Sequence, residues 1–401
     1  MDLLYLSHCV PNPPDKGERI RAHHQVAYLA ERYRVHLVCF ARGKQEVVQA
    51  RELEGRCASV YVEGLSTPAS AIGALVRFGL GACLTTSFYS SRTMRRHVEE
   101  LAGRVPLSAV VAYSSAMAPY APAGTPLLLD MVDVDSEKWV QYSRMRQPGI
   151  FYGLEGRRLR RLETEFAYRA GRTLLATGQE EDLLRSFAPG ALTSSVENGV
   201  DFEYFDPART GRLAEVEKRR YVAFVGAMDY FPNADAARWF VDEVYPEVRR
   251  RNPGMEFLVV GRNPTGAVWG LGRREGITVT GSVPDVRPYL ASAVAVVAPL
   301  RIARGIQNKV LEALAMGKPV AASPAVCETL GPRAPAGVMR CESGPDYAEA
   351  IAAIERMGAG RRAEIRQAAR RRFSWEAHTG RLSAALEEVM GAPLAEPAEA
   401  S

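Results

Sequence analysis

Short apolar runs alternate with helical stretches along this chain, and the alternation starts again in the middle. In the first half, strands are predicted at residues 3–7, 35–40, 58–62, 108–112 and 126–132. A fresh apolar run at 221–226 opens a second series, which continues at 256–260, 277–280 and 294–299. Regular βαβ alternation is typical of parallel sheets covered by helices. The sequence therefore predicts an α/β protein with two doubly wound, Rossmann-like units.

The length and one polar segment divide the chain. At 401 residues it exceeds one ordinary domain. Residues 206–220 are charged and weakly periodic, so we predict a first domain at 1–205 and a second at 206–373. A helix at 375–390 follows. The tail to residue 401 has few large apolar groups and is predicted to be disordered.

Composition narrows the class of protein. Apolar residues make up 47% and charged residues 24%, which is typical of a water-soluble globular protein. The net charge of +5 comes from scattered arginines and does not indicate nucleic-acid binding. The six cysteines show no CxxC spacing, which favours a reducing, cytoplasmic setting without structural zinc. No secretion signal is visible.

One segment has the marks of a phosphate-binding loop. An apolar strand at 294–299 leads into a loop, a helix beginning near 308, and a stop at Gly317 and Pro319. Asn308 is predicted to be the N-cap, accepting a backbone N–H of the first turn. The amides of Gly305, Ile306 and Gln307 would then face the helix entrance, where free N–H groups favour a phosphate.

Charged residues surround that entrance. Arg301 and Lys309 could neutralise a diphosphate. Glu312 lies about one turn beyond Asn308 on the same helix face, where a ribose diol is a natural partner. Any one of these three side chains alone would suit an ordinary solvated surface, whereas the combined set favours nucleotide binding.

Four motifs resemble a known family. They are Asn198-Gly-Val-Asp201, Phe224-Val-Gly226, Gly281-Ser-Val283 and the stretch from Lys309 to Pro319. Together they are similar to the retaining family 4 glycosyltransferases of GT-B fold, and the resemblance covers nearly the whole chain. The loop 11–17 and the segment 133–139 further resemble sugar transferases of exopolysaccharide and exosortase (PEP-CTERM) systems.

The resemblance implies a fold and an activity. It implies two Rossmann-like domains facing across a cleft, with the last helix crossing back to the first domain. The activity would be transfer of a hexose, with retention, from a UDP- or GDP-sugar to a hydroxyl of a glycan or lipid-linked acceptor. Neither a metal nor a bound cofactor is expected, and the setting would be the cytoplasm or the inner face of the membrane.

The resemblance also assigns residues. Glu312 matches the glutamate that holds the ribose, Val283 the position whose backbone meets the base, and Gly226 a donor-site glycine. Gly17, preceded by Lys16, matches a glycine-bearing loop that faces the donor phosphates or the acceptor.

Three departures from the family pattern affect these assignments. Arg304 replaces the first glutamate of the paired-glutamate motif. Ala227 and Asn233 replace an arginine and a lysine, which leaves the diphosphate charge to Arg301 and Lys309. The histidine that often follows a first-domain strand is missing.

In place of that histidine, Asp133 and Asp135 are the candidate catalytic and acceptor-site residues. Asp133 would orient the attacking hydroxyl. These two aspartates also fit an Asp-X-Asp metal site, so a metal-dependent transferase of GT-A fold is an alternative.

Two further expectations concern turnover and location. A nucleotide-binding regulatory or assembly subunit without turnover is a second alternative, motivated by Arg304. If the acceptor is lipid-linked, residues 68–85 and the basic stretch 157–161 are expected to contact the membrane surface.

Overall fold

The computed structural model describes residues 1–14, 17–145, 148–211, 213–332 and 334–391. The chain divides into two compact units, and the division falls after Val196, nine residues before the predicted boundary. The first unit holds Met1–Val196 and the chain from Thr379 onward, and the second holds Glu197–His378. The predicted disordered tail at 392–401 lies outside the described residues.

The first unit is a seven-stranded parallel sheet with the order β3-β2-β1-β4-β5-β6-β7. Its strands are β1 (Asp2–Ser7), β2 (Arg34–Ala41), β3 (Ser59–Gly64), β4 (Leu107–Tyr113), β5 (Leu127–Val132), β6 (Arg172–Leu175) and β7 (Thr193–Ser195). Its helices are α1 (Gly17–Ala30), α2 (Lys44–Arg51), α3 (Thr67–Gly79), α4 (Leu84–Phe88), α5 (Arg92–Arg104), α6 (Asp135–Met145), α7 (Gly149–Arg169) and α8 (Gly178–Phe187). A 3₁₀ turn spans Ser115–Tyr120.

Both faces of this sheet are buried, which explains its nearly continuous apolar strands. Along β1, Leu3 and Tyr5 join one core, whereas Leu4 and Leu6 join the core on the opposite face. Successive strand residues point to opposite faces, so each apolar strand supplies both cores.

A buried ion pair connects α1 to the central strands. The Arg21 guanidinium donates to both carboxylate oxygens of Asp130 on β5, at 2.7 and 2.9 Å, and also to the carbonyl oxygen of Val196. Gln25 donates to the same carboxylate, and the Tyr5 hydroxyl donates to Gln25. Arg21 and Asp130 are almost fully buried, so each depends on the other for compensation of its charge.

The second unit is a six-stranded parallel sheet with the order β10-β9-β8-β11-β12-β13. Its strands are β8 (Tyr221–Val225), β9 (Glu256–Val260), β10 (Ile277–Gly281), β11 (Ala295–Ala298), β12 (Val320–Ala322) and β13 (Val338–Arg340). Its helices are α9 (Ala214–Glu217), α10 (Phe231–Trp239), α11 (Tyr245–Arg251), α12 (Gly266–Leu271), α13 (Arg287–Ser292), α14 (Asn308–Ala315), α15 (Pro324–Thr329), α16 (Gly344–Glu355) and α17 (Ala359–Phe373).

Two helices bear on the sequence predictions. The helix predicted near 234–250 is interrupted by a π-helical stretch, Phe240–Val244, between α10 and α11. Pro246 follows that stretch and lacks the N–H that an uninterrupted helix would use. The last helix, α18 (Trp375–Gly391), begins in the second unit, and from Thr379 it belongs to the first. Leu382, Leu386 and Val389 join the core that contains Leu3, as the predicted crossing helix requires.

None of the helices in the described ranges combines the length and the apolar composition needed to cross a bilayer.

Candidate functional site

The carboxyl edge of the second sheet is the place where a doubly wound domain binds ligands. Gly226 follows β8 at this edge, and its N–H donates to the carbonyl oxygen of Val260 at the end of β9. A Cβ on Gly226 would lie 2.7 Å from Asn233 Nδ2 and 3.3 Å from Lys309 Nζ. A glycine is therefore required for these two side chains to approach the strand end.

Helix α14 starts at this edge, after the loop that follows β11. Gly305 is buried and has a φ of +60°, a left-handed conformation that favours glycine. The N-cap is Gln307, whose side-chain amide turns back to the carbonyl oxygens of Arg304 and Gly305 at 3.1 and 3.4 Å.

The prediction that Asn308 is the N-cap was wrong. Asn308 is the first helical residue, because the chain enters through an extended Gln307. Its Oδ1 is buried and has no hydrogen-bond partner among the described residues. At the other end of α14, Gly317 has a φ of +67° and closes the helix as predicted.

Lys309 lies in the first turn of α14 and connects that helix to α10. Its ammonium donates to Asn233 Oδ1 at 2.5 Å and lies 4.8 Å from the centre of the Phe224 ring. Asn233 is buried, and its amide nitrogen donates to the carbonyl oxygen of Ala227 at 2.9 Å. Both hydrogen-bonding ends of Asn233 are thus used, which fixes the position of the Lys309 ammonium.

Burial shifts the pKa of both charged residues on this face of α14. Desolvation lowers the pKa of Lys309 to about 8, and the nearby Glu312 carboxylate partly opposes that shift. Desolvation raises the pKa of Glu312 to about 7, partly opposed by Lys309. Near neutral pH the site therefore holds an ammonium and a carboxylate that is only about half ionised.

Arg301 is engaged elsewhere in the same unit. Its guanidinium donates to both carboxylate oxygens of Asp235, at 2.9 and 2.5 Å. Asp235 is buried two residues beyond Asn233 on α10, whereas Arg301 is about half exposed. The two cations predicted to bind a diphosphate thus both contact α10, Lys309 through Asn233 and Arg301 through Asp235.

The remaining donor-site candidates occupy the same unit. Ile306 and Val283 pack against its core, Val283 from the segment that follows β10. Arg304 and Gln307 are half-buried in the loop before α14. Asn233 connects Gly226 to Lys309, and Lys309 interacts electrostatically with Glu312, which makes these four residues one cluster. The described contacts do not place Val283 or Arg301 against that cluster.

In the first unit, the two candidate aspartates share a lysine. Lys138 Nζ lies 2.9 Å from Asp135 Oδ1 and 3.8 Å from Asp133 Oδ2, and both carboxylates are about a quarter exposed. Asp133 follows β5 directly, and Asp135 begins α6. The ammonium of Lys138 therefore pairs with both carboxylates of the Asp-X-Asp alternative.

The predicted glycine loop of the first unit is described in part. Gly17 is the first residue of α1. Lys16, its predicted partner, lies outside the described residues.

Sequence reasoning missed two residues of the site. The sequence pattern presents Asn233 only as the replacement of a lysine, and Asp235 belongs to none of its motifs. Their shared signal is a pair of polar residues, spaced two apart, in the first turns of the helix that follows β8. Both lie on a largely buried stretch, where polar side chains need partners.

Comparisons with known proteins agree with this architecture. Residues 219–356 match the family model described as "Glycosyl transferases group 1". No functionally curated protein matches the sequence. Among solved structures, HepE from Anabaena in complex with UDP and glucose is similar, with 15% identity, coverage of 96% of this chain and 99% of that chain, and a TM-score of 0.64.

Two further structures agree over the full length. Sucrose-phosphate synthase from Thermosynechococcus elongatus shares 14% identity over 98% of this chain and 100% of that chain, with a TM-score of 0.67. A glycosyltransferase from Rickettsia africae shares 13% identity over 98% and 99% of the two chains, with a TM-score of 0.63. At such identities the likeness concerns the fold, which is the predicted GT-B type and not the GT-A alternative.

Proposed function

We propose that this protein is a glycosyltransferase that moves a hexose from a nucleoside-diphosphate sugar to a hydroxyl of a glycan or lipid-linked acceptor. The observation that carries the proposal is the cluster of Gly226, Asn233, Lys309 and Glu312 at the carboxyl edge of the second sheet. The match of residues 219–356 to the group 1 family model supports it, and that match covers every member of the cluster.

The donor is bound through its nucleoside diphosphate. Lys309 contributes a compact positive charge, and the amides of Gly305, Ile306 and Gln307 precede α14, where the helix dipole also favours phosphate. Glu312 accepts hydrogen bonds from the ribose hydroxyls, and the backbone at Val283 meets the base. The complex with UDP and glucose described for HepE makes UDP-sugars the first donors to test.

Catalysis in this proposal rests on stabilising the leaving group. The bond from the sugar C1 to the β-phosphate oxygen breaks while C1 forms a bond to the acceptor oxygen on the same face, with retention. The acceptor proton passes to the departing diphosphate, and Lys309 offsets the charge that develops there. Asp133 and Asp135 orient the acceptor, with Lys138 holding the two carboxylates, and no metal takes part.

The proposed glycan or lipid-linked acceptor indicates where in the cell the protein acts. We infer a role in exopolysaccharide or glycoconjugate synthesis at the cytoplasmic face of a membrane. The narrower sequence resemblance of the loop 11–17 and the segment 133–139 supports this setting.

Turnover with defined donors tests the function. Purified protein is incubated with UDP- and GDP-sugars and with candidate acceptors, and the released nucleoside diphosphate and the anomeric configuration of the product are measured. We expect release that depends on acceptor, retention at C1, and unchanged rates in excess chelator. Inversion at C1 would refute the retaining mechanism. A loss of activity in chelator, followed by recovery when a divalent metal is added, would refute the metal-independent mechanism.

Variants of Glu312 separate its role from a structural one. Glu312→Gln keeps one hydrogen-bond acceptor, so we expect a smaller loss of nucleotide affinity than in Glu312→Ala. Equal nucleotide affinities in the wild type and in both Glu312 variants would refute the assignment of Glu312 to the ribose. Donor binding without any release of nucleoside diphosphate, across the whole panel, would instead favour the regulatory subunit, for which Arg304 is the motivating departure.

A further inference from the structure

Helix α3 of the first unit is apolar and almost entirely exposed. Only Ala74 within it is buried. Five of the eight strongly exposed Val, Leu and Ile side chains in the described part of the chain lie on it or beside it, each more than half exposed: Ile72, Leu75, Val76, Leu80 and Ile150. These five residues form the α3 patch. Contiguous exposed apolar surface of this kind marks an interaction site.

The α3 patch is held in place by polar contacts from α7. The buried carboxylate of Glu155 accepts hydrogen bonds from the N–H groups of Leu84 and Thr85 at the start of α4. Arg158 donates to the carbonyl oxygens of Phe78 and Ala82 at the end of α3, at 2.7 and 3.0 Å. The α3–α4 pair is therefore anchored by specific hydrogen bonds, although little of α3 is buried.

A ring contact places Ile150 beside α3. The Phe78 and Phe151 rings lie 4.7 Å apart, and Ile150 immediately precedes Phe151 on α7. Ile150 of α7 therefore lies near the C-terminal end of α3.

The chain segment that carries most of the α3 patch is basic. Residues 64–98 contain four arginines and no aspartate or glutamate. Next to α3, a cavity of about 240 Å³ is lined by Arg77, Arg95, Thr86, Ser87, Ser90 and Tyr120. Arg77, Arg95 and several hydroxyl groups form a suitable environment for a phosphate group, and Arg95 is held there by donating to the carbonyl oxygen of Pro119 at 2.9 Å.

We propose that the α3 patch, with Arg77 and Arg95 beside it, docks this protein onto a bilayer rich in anionic phospholipid. The apolar side chains enter the boundary between headgroups and acyl chains, and the cavity receives a headgroup phosphate. The proposal takes up the membrane contact predicted at residues 68–85 and not the one predicted at 157–161, where the large apolar side chain, Leu159, is buried. Arg158 holds α3, and Arg160 pairs with Glu137 at 2.7 Å.

Vesicle flotation tests the docking independently of sugar transfer. The full-length protein is mixed with vesicles of phosphatidylcholine alone or of phosphatidylcholine with phosphatidylglycerol, at low and high salt. We expect binding to the anionic vesicles, weakening with salt, and little binding to the neutral ones. Inorganic phosphate is added as a competitor and should not displace the protein, because a single free ion does not replace the apolar contact.

Matched variants identify the surface. Leu75→Asp with Val76→Asp, and separately Arg77→Glu with Arg95→Glu, should each lower partition to anionic vesicles by at least about tenfold. Val48→Asp and Arg273→Glu change equally exposed residues elsewhere and should leave partition unchanged. Thermal stabilisation by nucleoside diphosphate, which reports the second unit, should be the same in all of these proteins.

Three results would overturn the proposal. Equal wild-type binding to neutral and anionic vesicles would show that the arginines do not attract the protein to anionic lipid. Normal flotation of the Leu75/Val76 variant would show that the apolar side chains do not enter the bilayer. A lipid-free dimer that the same variant converts to a monomer would show that a second copy of the chain covers the α3 patch.

Discussion

Replacing Lys309 by methionine removes one charge and keeps most of the side-chain volume. In the structure the Lys309 ammonium is fixed by Asn233 and is the cation of the Gly226–Asn233–Glu312 cluster. Arg301 does not substitute readily for it, because its guanidinium already binds Asp235 through two hydrogen bonds. The affinity for a nucleoside diphosphate should therefore depend strongly on this single charge.

The expected magnitude follows from the contact that is lost. A hydrogen bond to a charged group contributes about 1.5–3 kcal/mol, so Lys309→Met should raise the Kd for the nucleoside diphosphate about 10- to 150-fold. The pH dependence supplies a second signature. The pKa of Lys309 is lowered to about 8, so attraction is complete below that value and is lost as the pH rises through it.

If only the protonated lysine binds, wild-type affinity falls about tenfold between pH 7 and pH 9. Glu312 does not add to that loss, because its pKa of about 7 leaves it increasingly ionised over the same range. The difference in affinity between wild type and Lys309→Met should therefore shrink about tenfold between pH 7 and pH 9.

Titration calorimetry with UDP and GDP across this pH range measures both effects, and proton uptake on binding near pH 8 checks the linkage. Lys318→Met is the matched control, because burial also lowers the pKa of Lys318 to about 8 while its ammonium donates to the carbonyl oxygen of Ala293. The control should keep the tenfold alkaline loss. An equally steep alkaline loss in Lys309→Met would refute the reasoning.

Three further predictions concern neighbouring contacts. Asn233→Ala releases the Lys309 ammonium and should weaken nucleotide binding about 3- to 10-fold, with its alkaline loss retained, by the same calorimetry; unchanged affinity would show that Asn233 does not position the lysine. Gly226→Ala places a methyl group 2.7 Å from Asn233 Nδ2, so nucleotide-induced thermal stabilisation should shrink; full stabilisation would contradict the close approach. Arg21→Met leaves the buried Asp130 without its ion-pair partner and should cost about 3–5 kcal/mol in urea unfolding. The exposed Arg34→Met control should cost less than about 1 kcal/mol, and equal costs would refute the distinction.

Local patterns were sufficient for much of the fold. The apolar runs predicted β1, β8 and β9 nearly to the residue, because a strand buried on both faces must be apolar throughout. Gly317 ended α14 as predicted, because few other residues adopt its left-handed conformation easily. The N-cap was misplaced by one residue, because the hydrogen bonds of Gln307 to the preceding loop decide where α14 begins.

What the sequence determined by itself was the class of the protein: two parallel α/β units and a basic, glycine-bearing turn before α14, whereas the helix returning to the first unit was implied by the family resemblance alone. These features depend on neighbours within a few residues along the chain. Only the tertiary structure decided which partners the charges meet. Lys309 binds Asn233 and Arg301 binds Asp235 across more than sixty residues of sequence. Those pairings arise because β8 and β11 are neighbours in the sheet, and the burial that shifts the pKa of Lys309 and Glu312 has the same origin. Spacing along the chain does not encode that strand order.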